Sequence, residues 1–234
     1  MNLPVGRAIH WTPARRPSPT ELRGCYALLR PVDPADAELL YPLGHPPDGD
    51  PTIWTYLPDG PYGSVEDLRA MLEAAQSSDD PLWFTLVRLP DECLLGLAAY
   101  QRIKPQDGVI EIGRIWYGAP LKRTTAATEL IYLLARHAFD DLGYRRLEWK
   151  CDALNAASRR AAERYGFEFE GIFRQHMVVK GRNRDTAWYA ITDRDWPPIR
   201  AGFQAWLAEE NFDHAGGQRR SLGELIAQAR AARR

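Results

Sequence analysis

Between residues 82 and 117 the apolar positions gather into three β-type runs, Leu82 to Leu89, Leu94 to Ile103 and Val109 to Tyr117, separated by Pro-Asp-Glu and Lys-Pro-Gln-Asp-Gly. Short runs of this kind with turn chemistry between them predict an antiparallel meander. The rhythm then lengthens. Over Thr124 to Leu142, Ala127, Leu130, Ile131, Leu134 and Ala138 recur at i, i+3, i+4 spacing, which predicts an amphipathic helix with Gly143 as its C-cap. A strand at Arg146 to Cys151, a helix at Asn155 to Tyr165, and strands at Phe167 to Lys180 and Thr186 to Thr192 around the turn Lys-Gly-Arg-Asn-Arg complete the predicted core.

Upstream, a strand at Cys25 to Arg30 precedes a short helix through Leu39, Leu40 and Leu43, for which Asp33 or Asp36 is the cap. Ser64 opens a helix carrying Leu68, Met71, Leu72 and Ala75 on one side. Between them, Gly44 to Gly63 holds five Pro, four Gly, Trp54 and two Tyr, too long and too aromatic for a mere connector, and reads as a substrate-side loop. Downstream come a helix at Trp196 to Glu210 and a basic helix opened by the capping box Ser221-Leu-Gly-Glu224. The expected organisation is an irregular arm over 1–21, a main domain over 22–212 and a basic helical tail over 213–234.

Composition narrows the class. With 45% apolar and 26% charged residues in 234, the chain can bury one sizeable core, or at most two small ones, under a soluble surface. The stretch from Gly216 to Arg234 carries five Arg against one Glu in a chain of net charge −1, so the remaining body is mildly acidic. Such a body lacks the broad cationic face of a nucleic-acid binder, leaving only the tail for that role. Cys25, Cys93 and Cys151 are odd in number, lack CxxC spacing and sit in apolar runs, which predicts buried, reduced thiols without zinc or disulfides. No apolar run approaches the roughly 20 residues of a membrane span, and the expected location is the cytoplasm.

The candidate chemistry lies where strand Val109 to Tyr117 passes through Gly-Ala-Pro-Leu-Lys-Arg-Thr into the long helix. Small side chains there leave successive backbone N–H groups open at a helix start, and such a nest binds phosphate through dipole and direct hydrogen bonds. The same turn also reads as an ordinary cap by Thr124 or Thr125. Further on, Asn155-Ala-Ala-Ser158 followed by a helix and Gly166-Phe167 reads locally as an N-cap and a C-cap.

Taken in order, these segments resemble the GCN5-related N-acetyltransferase superfamily, in particular its branch of ribosomal-protein alanine N-acetyltransferases, over roughly Tyr26 to Trp196. The family's Gln/Arg-x-x-Gly-x-Gly/Ala motif falls on Lys122, Arg123, Thr124, Thr125, Ala126 and Ala127, continued by Thr128 and Glu129, with Thr125 in place of the central glycine. The second signature falls on Asn155 and Ser158. The resemblance implies an α+β fold, an α/β/α sandwich around a mixed, mostly antiparallel sheet. It implies acetyl-CoA as cofactor, held by Lys122 to Ala127, Asn155, Ser158 and Arg159, with Arg160 the less favoured neighbour for the phosphates.

The implied reaction is direct attack of a neutral primary amine on the thioester, the oxyanion being held by a backbone N–H after Glu111, a donor typically worth about 3 kcal/mol. Glu111 is the candidate base: on its strand it shares a face with Val109, Gly113 and Ile115, whose apolar character would favour proton uptake. The competing reading is an ion pair with Arg114 or a cation on a neighbouring strand. Glu148 and Glu170 are weaker alternatives. The family's thiolate-protonating Tyr falls on Ala162, and in the ribosomal branch Ser158 takes that work. His137 and His176 read as structural. The acceptor is a protein N-terminus or a small-molecule amine, with the 181–185 hairpin secondary to the loop in contacting it. A homodimer through the C-terminal strands and the Trp196 helix is expected, as is RNA docking only through the tail. The contrasting reading is an acyl-CoA-binding module whose catalysis has lapsed, for which Thr125 and Ala162 speak.

Overall fold

The computed structural model describes residues 3–89 and 91–233. Eight strands form one sheet: β1 (Leu22–Arg23), β2 (Ala27–Pro31), β3 (Leu82–Arg88), β4 (Cys93–Lys104), β5 (Val109–Tyr117), β6 (Arg146–Asp152), β7 (Glu168–Val179) and β8 (Arg182–Thr192). Their spatial order is β1-β2-β3-β4-β5-β6-β8-β7. Every neighbouring pair is antiparallel except β5 and β6, whose connection carries a crossover helix. The meander read from the periodicity is β3, β4 and β5.

Both faces of the sheet are covered, which is why its central strands are apolar on both sides. Along β4, Leu97 and Ala99 enter one core with Leu40, Leu68, Leu72, Trp83 and Trp116, under α1 (Ala37–Gly44) and α2 (Val65–Gln76). The alternate residues Ala98 and Tyr100 enter the other core with Leu130, Leu134, Tyr165, Phe203 and Ile226. That second core lies beneath α3 (Thr125–Arg136), α4 (Ala156–Arg164), α5 (Trp196–Leu207) and α6 (Leu222–Ala231). The result is an α/β/α sandwich. No helix among the described residues is long and apolar enough to cross a membrane.

The predicted long helix persists to Asp141 by changing its winding: α3 passes into a π turn over His137–Asp141, and Gly143 follows at φ +78. Tyr100 Oη donates to the Leu134 carbonyl at 2.5 Å, occupying an acceptor that continued α-helix would use. Glu129, within the motif continuation, points away from the turn. Its buried carboxylate accepts the backbone N–H groups of Cys25, Tyr26 and Ala27 at 2.9, 2.6 and 2.8 Å, tying α3 to the first hairpin.

Three expectations are corrected. Cys25 occupies the bend between β1 and β2 and is exposed, because the hairpin closes there and its amide is taken by Glu129. α5 ends at Leu207 rather than Glu210, giving way to a short 3-10 turn over Glu209–Asn211. The turn between β7 and β8 is only Lys180 and Gly181, at φ 48 and 73, a pairing of left-handed residues whose twist matches the strands, so β8 begins at Arg182 rather than Thr186. The basic tail ends in α6, whose capping box is formed and whose Leu222, Leu225 and Ile226 are buried. Gly202 of α5 permits this approach, since a β-carbon there would meet the Ile226 backbone.

Candidate active site

β5 and β6 pair only from Val109↔Arg146 to Ile112↔Trp149. Beyond that point β6 stays paired with β8 through Asp152, whereas β5 turns aside. Its departure is built by a bulge: Gly113 and Trp116 face Ala99 and Leu97, leaving Arg114 and Ile115 opposite the single residue Ala98, with Arg114 at φ 51. The strands therefore part into a cleft of about 210 Å³, lined by Gly113, Arg114, Ile115, Trp149, Lys150, Cys151, Asn155 and Ser158 among others.

Beside the cleft, the start of α3 faces a second cavity of about 410 Å³ lined by Arg123, Thr124, Thr125, Ala127, Thr128, Arg164 and Tyr165, together with Trp206, Phe212 and Gln218 from the C-terminal region. Thr124 Oγ1 accepts the Ala127 N–H at 3.1 Å, so the hydroxyl caps the helix. The N–H groups of Thr125 and Ala126 take no partner among the described residues. Two open amides at a helix N-terminus, with two guanidinium groups on the same cavity, fit a diphosphate. The reading of the turn as a cap is realised by Thr124 on the Ala127 amide, and the Thr125 and Ala126 amides are left open.

The predicted phosphate contacts divide. Thr124, Thr125, Ala127 and Arg123 line the cavity; the Ala126 side chain is buried in the core. Lys122 turns the other way and pairs with Asp50 at 3.0 Å, in the substrate-side loop. Hydrogen bonds from Thr52 and from Lys122 hold the Asp50 carboxyl down to about 2. Arg159 is also displaced from the nest: its Nε donates to Tyr189 Oη at 3.1 Å and its guanidinium lies over Phe169, because residue 159 falls on the α4 face toward β7 and β8. Arg160 is exposed. The cation that joins Arg123 is Arg164, at the end of α4, which donates to Thr128 Oγ1 at 3.1 Å and is flanked by the Tyr165 and Trp206 rings. Its sequence signal was the i, i+3 spacing from Ala161, which sets both on one face of α4.

Asn155 Oδ1 accepts the Ser158 N–H at 3.0 Å, capping α4 and fixing Ser158 at the mouth of the cleft. Trp149 Nε1 in turn donates to Ser158 Oγ at 3.0 Å. That bond occupies an acceptor site on the hydroxyl and leaves its proton available to donate. The Cys151 thiol lies close by and is pushed up by burial, against the Ser158 hydroxyl and the nearby Arg184 and Arg159. Tyr165 is buried against Trp149 and Phe203, and burial raises its phenol.

The surroundings of Glu111 differ from the apolar setting expected. Its carboxylate is almost fully buried but saturated with donors: Gln101 Nε2 at 2.6 Å, Arg102 at 2.8 and 2.7 Å, and Lys150 Nζ at 2.9 Å. The neighbouring-strand cation read as the alternative is present twice, and Arg114 pairs with Asp59 instead. Lys150 also reaches Glu148 at 2.6 Å, and Arg146 joins Glu148 to Glu170. Burial works against ionisation of Glu148, yet hydrogen bonds from Lys150 and Arg146 hold its carboxyl below the ordinary range. Lys150 escaped sequence reasoning, although its period-two spacing from Glu148 put both on one strand face.

The loop over 44–63 also lines the cleft, with Ile53, Tyr56, Leu57 and Pro58. Tyr56 Oη donates to the Leu154 carbonyl at 3.3 Å, and Lys180 Nζ at the hairpin tip donates to the Trp54 carbonyl at 2.8 Å. His137 bonds Asp141 at 3.0 Å outside the cleft. His176 bonds Thr186 at 3.0 Å, and burial followed by Arg102, Arg184 and Lys150 lowers its imidazole.

Comparison with known proteins agrees with this geometry. The acetyltransferase (GNAT) domain family matches residues 27–168. The crystal structure of a GCN5-related N-acetyltransferase from Brucella melitensis is 44% identical, with 93% of this chain and 98% of that one covered and a TM-score of 0.89. A Bacillus subtilis protein provisionally named the ribosomal N-acetyltransferase YdaF is 28% identical over 46% of this chain and 58% of its own. The microcin C7 self-immunity acetyltransferase MccE, solved with acetyl-CoA and AMP, shares the fold at a TM-score of 0.61 and 19% identity over 72% of this chain and 93% of its own. The chain belongs to the GNAT acetyltransferase family.

Proposed function

We propose that this acetyltransferase uses acetyl-CoA to acetylate a primary amine, on a protein N-terminus or a small molecule, in the cytoplasm. The observation that carries the reading is the parting of β5 from β6 after Ile112 and Trp149, beside the open Thr125 and Ala126 amides. When bound, the cofactor supplies an acetyl group activated as a thioester. The Thr125 and Ala126 amides with Arg123 and Arg164 hold its diphosphate, and the unpaired edge of β5 after Ile112 offers backbone donors toward the cleft.

Ser158 is the proton donor on the thiol side, its hydroxyl oriented by Trp149 and its backbone by Asn155. Glu111, with donors on both oxygens, holds Arg102 and Lys150 in place, and the acceptor's proton leaves to water rather than to this carboxylate. The resemblance to the ribosomal branch supports a protein N-terminus as one acceptor class.

The test is thiol release from acetyl-CoA over a panel of amines, with acetylated product identified by mass. Amine-dependent release that falls in Ser158→Ala at unchanged cofactor affinity supports the reading. Tight cofactor binding with no turnover on any amine favours the lapsed module, to which Thr125 and Ala162 also point.

A further inference from the structure

The acceptor side of the cleft is cationic. Arg102, Arg114, Lys150 and Arg184 line it against the carboxylates of Glu111 and Asp152. Three of the four cations are already paired: Arg102 and Lys150 with Glu111, and Arg114 with Asp59, while Asp152 accepts the Leu154 N–H at 2.8 Å. Arg184 is the exception among the cations. Its Nε donates to Thr186 Oγ1 at 3.2 Å, and its guanidinium pairs with no carboxylate among the described residues. Because β8 begins at Arg182, this arginine projects from a paired strand, opposite Met177, rather than from a turn. It is half-buried and lines the cleft with Cys151 and Met177.

A half-buried guanidinium without a counter-ion is an anion site of fixed geometry, since its planar fork matches a carboxylate or phosphate. A polycationic acceptor would meet like charge at the same place. The cavity, at about 210 Å³, lies below the range typical of drug-sized ligands and suits a metabolite of amino-acid size. Resting on the acetyl-transfer reading above, we infer that the acceptor is a small amine carrying its own anionic group, a carboxylate or a phosphate, and that Arg184 binds that group while the amine faces the parting of β5 and β6.

The experiment compares matched acceptors on the full chain: α-amino acids against their amides, phosphoethanolamine against ethanolamine, and spermidine. The expected result is a preference of at least about tenfold in kcat/KM for the anionic member of one pair, which also tells carboxylate from phosphate. In Arg184→Gln that preference collapses through KM, while coenzyme A affinity measured by calorimetry is unchanged; Arg184→Lys retains part of it. Neutral amines or spermidine used as well as the anionic acceptors, or an undiminished preference in Arg184→Gln, would overturn the inference. Binding without turnover gives a separate readout, obtained by titrating N-acetylalanine and its amide, with N-acetylphosphoethanolamine and N-acetylethanolamine, into coenzyme A-loaded protein. Heat from an acid but not from its uncharged partner, lost in Arg184→Gln, supports the anion site even if no amine is acetylated. Equal binding or none across the four removes it.

Discussion

The Lys150 ammonium lies 2.9 Å from Glu111 and 2.6 Å from Glu148, on a strand where its side chain is only 5% exposed. One cation thus holds two carboxylates that face each other across the parallel β5–β6 pair. Removing it leaves Glu111 to Arg102 and Gln101 and Glu148 to Arg146, with one buried negative charge in excess. Lys150→Met should therefore destabilise the fold by about 3 kcal/mol, measured by urea denaturation, even though methionine fills a similar volume. A change below about 1 kcal/mol would show that the carboxylates find other partners.

The same cluster gives a pH dependence with a definite sign. The Glu148 carboxyl is held below its ordinary value of 4.5 in the folded protein, so the folded state binds its proton less readily than the unfolded chain does. Its contribution is complete above that ordinary value and is lost as the pH falls through the lower folded value. Urea midpoints measured from neutral pH downward should decline in this acidic window, and Glu148→Gln should flatten that decline. A midpoint indifferent to the substitution across the window would contradict the assignment.

Ser158→Ala removes a proton donor and also the acceptor of the Trp149 indole N–H. Turnover should fall about 10²-fold with cofactor affinity unchanged, and stability should drop by about 1 kcal/mol. Stopped assays with saturating acetyl-CoA and thermal melts read the two effects separately. Unaltered turnover would remove Ser158 from the chemistry while leaving its packing role.

Glu111→Gln discriminates between two roles. With Arg102, Lys150 and Gln101 on its carboxylate, Glu111 should act on position and charge, so the variant should lose stability and activity with the shape of the kcat/KM pH profile preserved. Loss of the acidic limb of that profile would instead make Glu111 the base.

How far the chain could be read in advance followed from where the information lies. Local periodicity sufficed for β3, β4, β5 and α3, since each buries a regular stripe, and Thr124, Ser64 and Ser221 cap the helices that their side chains announced. Side-chain direction was less legible. Lys122 and Arg159 sit in the expected motifs but turn to Asp50 and Tyr189, partners distant in sequence. The neighbouring-strand cation weighed for Glu111 could not be assigned to a residue, because Arg102 reaches it from a left-handed backbone at φ 49 and Lys150 through strand pairing. The hairpin misled for a local reason: Lys180 adopts a left-handed conformation beside Gly181, shortening the turn and placing Arg184 on the strand.

The open amides of Thr125 and Ala126 carry the whole account, and calorimetric titration of coenzyme A into the native chain and into Thr125→Asp, at a half-buried position lining the cavity, tests them most directly. An aspartate there sets a negative charge at the N-terminus of α3 where it favours the helix but opposes a bound diphosphate. The account predicts saturable binding to the native protein and a loss of at least about tenfold in the variant, with its melting temperature retained. Equal affinity for both proteins, or no binding to either, would contradict it.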